Sequence, residues 1–190
     1  TGTALRTSTA PVLYESKVIW QLPIRIFHWP FAASVVVLFI TGLYINDPWF
    51  TAGGSTDGYL MGWVRFLHFA AAAVFCVAFA WRAAWFFLGN EYARSGFPYV
   101  WRASWWRAVF RQMWAYLRFD FSRPHLGHNA LAGLSYAVFV VGLGSAQIVT
   151  GLALYGESNP GGLWDSLFGW ALPLFGGSFG THMWHHLFSW

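Results

Sequence analysis

Three long apolar runs, roughly Ile26 to Asn46, Val64 to Leu88 and Asn129 to Tyr155, constrain this chain more than any other feature of it. About 20 helical residues cross the roughly 30 Å of hydrocarbon in a bilayer, and each run meets that length. Backbone groups inside hydrocarbon must be satisfied within the segment, so such runs are expected to be helices. A fourth stretch opens near Thr181 and reaches Trp190 after about ten residues, enough helix for half a crossing. The expected fold is an all-α membrane protein, a four-helix transmembrane bundle with its fourth helix truncated, and residues 1–190 form a single domain.

The 57% hydrophobic and 9% charged composition excludes an ordinary soluble domain. The first run is too long for a secretory signal peptide and no small-residue cleavage site follows it. Most of the 14 Trp residues stand where runs end, as in interfacial belts. With no soluble domain in view, lipid is an expected partner and nucleic acid is not.

Charge gives an orientation. Of the 11 Lys and Arg residues, all but Arg65 precede the first run or lie at and after the end of the second, before the third. Asp47, Asp57, Glu157 and Asp165 lie on the other connections. The positive-inside rule makes the basic side, with the N-terminus, cytoplasmic. Within the basic connection, Trp101, Trp105, Val109, Met113 and Tyr116 recur at three- and four-residue spacing among arginines. That pattern predicts an amphipathic interfacial helix between residues 99 and 121 on the cytoplasmic surface. The outer connections, rich in Gly, Pro and Trp, read as irregular and as a docking surface.

The sequence Arg-x-x-His-aromatic occurs twice, as Arg25-Ile26-Phe27-His28-Trp29 and Arg65-Phe66-Leu67-His68-Phe69, each time opening an apolar run. Ionisable groups in a membrane span are expensive and point to function. Histidines at helix mouths, each with an arginine one turn away, suggest axial ligands to haem iron, with Arg25 and Arg65 facing the propionates. No carboxylate or thiolate lies near to complete a bare-ion site. Lone Cys76 cannot form a Cys-x-x-Cys-His attachment, so the haem is of b type, held non-covalently.

His28 enters from the inner face and His68 from the outer, so they cannot share one iron. His185, opening the fourth stretch from outside, matches the depth of His68, and the two form the expected clamp of an outer haem. His182 and His186 compete with His185 for that position. An inner haem would take His28 and a partner that is either His125 or His128, in Pro124-His125-Leu126-Gly127-His128-Asn129, or a residue beyond Trp190.

With these residues on the page, the chain resembles the b-type cytochrome subunit of membrane-bound [NiFe] hydrogenases. The resemblance covers essentially the whole chain. It rests on Pro23 to Trp29, Tyr59 to Phe69, Trp101-Arg102-Ala103-Ser104-Trp105-Trp106, Gly127-His128-Asn129, Thr150 to Tyr155 and His182-Met183-Trp184-His185. It implies four helices and two bis-histidine haems: His68 and His185 hold the outer one, and His28 holds the inner one with a ligand missing from this chain. It moves His128 to a role beside the inner haem or a quinone. It further implies an electron-transfer subunit that docks periplasmic small (iron–sulfur) and large hydrogenase subunits to the inner membrane. Electrons from the clusters then reach quinone, and no hydrogen chemistry occurs in this chain. A quinone site is expected at the cytoplasmic edge, among Tyr116, His125, His128 and Asn129. The rival reading is the cytochrome subunit of another quinone-linked complex, such as formate dehydrogenase.

Overall fold

The computed structural model describes residues 18–49, 59–122 and 126–190. All regular structure among these residues is helical. Helix α1 spans Leu22–Asn46, α2 Leu60–Leu88, α3 Ala103–Leu117, α4 Ala130–Glu157, α5 Leu163–Phe168, α6 Ala171–Leu174 and α7 Gly177–Leu187. A 3₁₀ turn at Glu91–Arg94 follows α2.

Helices α1, α2 and α4 hold 25, 29 and 28 residues, long and apolar enough to cross a membrane. Their most apolar windows bury only 11%, 17% and 17% of their residues inside the protein, so most of that surface requires an apolar medium outside it. Helix α1 starts with Pro in its first turn, where no backbone donor is lost. The Oε1 of Gln21, just before it, accepts from Trp85 Nε1 at 3.1 Å and from the Asn90 backbone N–H at 3.2 Å. This ties the start of α1 to the end of α2. Asn129 caps α4 by accepting from the Ala132 N–H at 2.9 Å. Between Tyr136 and Leu143 the helix widens into π-helical turns before resuming α-helical winding at Gly144.

Contacts along the helices fix their directions. Gln21, Phe31 and Thr41 of the first segment meet Trp85, Phe75 and His68 of the second, so α1 and α2 are antiparallel. Down the opposing face of α2, Phe69 meets Tyr155, Phe75 and Phe79 close over Gly144, and Arg82 covers Tyr136. Helix α4 therefore runs antiparallel to α2. Glu157 accepts from Ser178 Oγ at 2.8 Å, and Thr150 meets His185 at 2.8 Å, which sets α7 antiparallel to α4. Gly176 and Gly177, at φ of 87° and 83°, turn the chain back from α6 into α7.

Two expectations about connections need adjusting. The segment 156–180, expected to be an irregular outer connection, is not simply irregular, because α5 and α6 fold within it. Gly156 of α4 allows that close return: a Cβ there would come within 2.6 Å of the Asp165 N atom. On the other side, α3 is shorter than residues 99–121. It ends where Phe119 takes a φ of 56° and the Asp120 N–H bonds back to Ala115 O at 2.9 Å. Its more protected positions are Trp105, Ala108, Val109, Gln112 and Ala115, with Met113 and Tyr116 turned outward.

Candidate haem centre

His68 projects from the third turn of α2 onto α1, where its Nδ1 lies 2.8 Å from Thr41 Oγ1. His185 projects from α7 onto α4, where its Nδ1 lies 2.8 Å from Thr150 Oγ1. Each threonine is followed by a glycine facing the ring, and at Gly151 the approach is close enough to need it. A Cβ at Gly42 would sit 3.5 Å from His68 Cε1, and one at Gly151 would sit 3.1 Å from His185 Cε1. Phe69, next to His68, meets Tyr155 of α4, five residues beyond the Thr150 that holds His185, so the two histidines hang on adjoining helices. Thr41 and Thr150 are 5% and 0% exposed, so water does not compete for these bonds.

This donor set suits a b-type haem. Each imidazole is anchored through Nδ1 by a neighbouring helix, leaving Nε2 as the free ligand atom, the arrangement metal-binding histidines adopt. The competing histidines have other surroundings. His182 is exposed and its Nδ1–H donates to Ser178 O of its own helix at 3.0 Å, whereas His186 packs edge-on to Trp190 at 6.0 Å.

His28 lies exposed in the second turn of α1, edge-on to Trp29. Thr41 stands about 20 Å further along the same helix, so His28 and the His68–His185 pair occupy different depths. Arg25 and Arg65 are exposed one turn from their histidines.

At the His28 end a second polar cluster forms. The backbone N–H of His128 donates to Ser95 Oγ at 3.0 Å, and its ring rests on Gly96. The Ser95 hydroxyl itself donates to Tyr92 O at 2.7 Å. Trp20 meets the His128 ring edge-on at 4.9 Å, and Tyr136 lies 5.9 Å away. Burial, joined by the Arg82 charge, holds His128 below the usual histidine pKa. Asn129 Nδ2 donates to Tyr116 Oη at 2.8 Å, joining α3 to the start of α4. Tyr116, His128 and Asn129 therefore share one end of the protein, although His128 faces different partners from the other two. His125 lies outside the described residues.

Sequence reasoning passed over Thr41, Arg82 and Tyr136. The signal for the threonines was an internal repeat, Thr41-Gly42-Leu43 and Thr150-Gly151-Leu152. Arg82 was counted only as a charge near a span end, yet it is 8% exposed and donates to Ala93 O at 2.9 Å.

A family model described as prokaryotic cytochrome b561 matches residues 19–190. The probable Ni/Fe-hydrogenase B-type cytochrome subunit of Azotobacter chroococcum mcd 1 is 42% identical to the chain over 191 residues, covering 98% of the chain and 77% of that protein. The protein of the same name in Cupriavidus necator is 38% identical, covering 93% and 74%. The probable Ni/Fe-hydrogenase 1 B-type cytochrome subunit of Escherichia coli strain K12 is 36% identical, covering 92% and 77%. A helical membrane chain with paired histidines, matched over this length, belongs to the prokaryotic cytochrome b561 family, and haem b is the cofactor that membership implies.

Proposed function

We propose that this chain anchors a periplasmic [NiFe] hydrogenase to the inner membrane and relays its electrons by way of haem b to quinone. The observation that carries the reading is that His68 and His185, on different helices, are each bonded through Nδ1 to a buried threonine of a neighbouring helix, which leaves Nε2 of each for a metal. Haem b supplies a reversible one-electron carrier when bound. The relatives named as Ni/Fe-hydrogenase subunits support the partner assignment, namely the small iron–sulfur and large subunits of such an enzyme.

The remaining residues divide by end. His68 and His185 serve an outer haem, and His28 is a ligand of an inner one, with Arg25 and Arg65 available to propionates. The arginines of the connection from α2 to α4 mark the cytoplasmic side, so α3 lies on the inner surface and α7 forms part of a fourth span. Residues 156–180 face the periplasm and form the described part of the docking surface; the other expected docking segment, Asp47 to Trp63, lies largely outside the described residues. Tyr116, His128 and Asn129, together with His125, supply the hydrogen-bonding groups a quinone carbonyl requires at the cytoplasmic edge.

A reduced-minus-oxidised visible spectrum of the purified membrane complex tests the reading. A sharp low-spin b-type band is expected in the parent protein. Replacing His68 or His185 by Ala removes the outer haem's share of it and uncouples hydrogen oxidation from quinone reduction. A full band in both variants would sink the ligand assignment. Co-purification of a different periplasmic partner would overturn the hydrogenase link.

A further inference from the structure

We infer that Thr41 and Thr150 are positioning residues that fix the tautomer of the two histidines and tune the haem they hold. The inference rests on the haem reading above and concerns what lies one bond behind the ligands. A hydroxyl carries one hydrogen, and a carbonyl only accepts. Thr41 Oγ1 lies 2.6 Å from Val37 O, so its hydrogen is committed to that carbonyl. Toward His68 Nδ1 at 2.8 Å the same oxygen can then only accept, so Nδ1 carries the proton and Nε2 the lone pair. Thr150 repeats the arrangement, with Ala146 O at 2.7 Å and His185 Nδ1 at 2.8 Å.

Back-bonding to the carbonyl one turn earlier is a habit of helical threonine, and alone it signals nothing. Here the bond does something further. It locks the side-chain torsion of a β-branched residue, so the oxygen is placed by the helix backbone rather than by a mobile side chain. Each helix thus presents a fixed acceptor to a histidine from another helix. At Gly151 the missing side chain also lets the ring close onto the helix, since a Cβ there would lie 3.1 Å from His185 Cε1, whereas the 3.5 Å at Gly42 is ordinary contact.

Two consequences follow for a bound haem. The ring cannot rotate or exchange tautomers without breaking a buried bond, so Nε2 stays aimed. An acceptor on Nδ1–H also makes Nε2 a stronger electron donor, which favours ferric over ferrous iron and lowers the reduction potential. Thr41→Val and Thr150→Val keep the side-chain shape and the torsion preference while deleting the acceptor. Thr41→Ser and Thr150→Ser keep the acceptor.

The test uses the membrane complex of the parent protein and the four single variants. Haem is assayed by pyridine haemochrome, its potential by optical redox titration, and its axial field by electron paramagnetic resonance. Both valine variants should shift the potential of one haem to more positive values, alter its low-spin signal, and retain haem about 10- to 100-fold less tightly. The serine variants should return toward the parent on every readout. Full haem with unchanged potential and signal in both valine variants overturns the inference, as does haem loss that serine fails to restore. If the parent itself lacks a low-spin haem, or His68→Ala and His185→Ala both retain it, the haem reading falls instead. The parent and alanine controls separate that outcome from failure of the threonine assignment.

Discussion

The guanidinium of Arg82 lies 5.1 Å from the centre of the Tyr136 ring and donates to the backbone carbonyl of Ala93 at 2.9 Å. One buried cation thereby joins α2, the turn after it and the start of the π-helical stretch of α4. Removing it leaves a carbonyl without its donor, a loss of about 1–3 kcal/mol for a buried group. Arg82→Met should destabilise the protein by that amount in thermal unfolding in detergent. Arg82→Lys should recover only part, because a point charge does not reproduce a planar group lying on an aromatic face.

The two glycines beneath the histidines predict unequal outcomes. A methyl at Gly42 makes ordinary contact with His68, whereas one at Gly151 meets His185 Cε1 at 3.1 Å. Gly42→Ala should leave the visible spectrum intact and gain up to about 1 kcal/mol of helix propensity. Gly151→Ala should tilt His185 and change the low-spin signal. Identical spectra for the two variants would contradict the asymmetry.

At the other end, Tyr116→Phe deletes the oxygen that accepts from Asn129 Nδ2 while keeping the ring. Asn129→Ser keeps a helix-capping side chain but loses the amide donor. Both should slow quinone reduction several-fold, with haem spectra and artificial-dye reduction unchanged. Normal quinone turnover in both would refute a role for this pair.

His128 predicts a pH dependence. Its folded-state pKa is lowered, chiefly by burial and further by Arg82, so the fold favours the neutral ring. The stability this contributes is present above the unfolded value of about 6.5 and is lost as pH falls below it. The protection factors of amides in residues 92–97 and 126–130, their exchange rates corrected for the intrinsic rate at each pH, should therefore fall between about pH 7.5 and pH 5. His128→Gln should flatten that response. Protection that stays constant across the range would count against a half-buried neutral histidine.

Much of the fold was legible because a bilayer imposes length and apolarity. The spans were read from Ile26 and Val64, yet α1 and α2 begin one turn earlier, at Leu22 and Leu60. Pro23, Arg25 and Gly62 lower the apolarity there without interrupting backbone bonding. The face of α3 was harder to read. Trp101, Trp105, Val109, Met113 and Tyr116 mark an apolar stripe, but spacing does not say which of them packs against the protein: Val109 is buried, whereas Met113 and Tyr116 are exposed. Sequence spacing proposes His68 and His185 as one pair by depth. It could not reveal their threonine partners, since a helical threonine satisfied by its own backbone looks the same whether or not a third group approaches it.

The π-helical stretch from Tyr136 to Leu143 separates the end of α4 that carries Tyr136 and follows His128 from the end that carries Thr150. In an unbroken α-helix the two ends share one rotational phase, and inserting a single residue turns one by about 100° against the other. A widened middle absorbs that change within a few turns. The two ends of this span can thus be aimed separately, the Tyr136 end under Arg82 and the Thr150 end at His185, without either dictating the angle of the other.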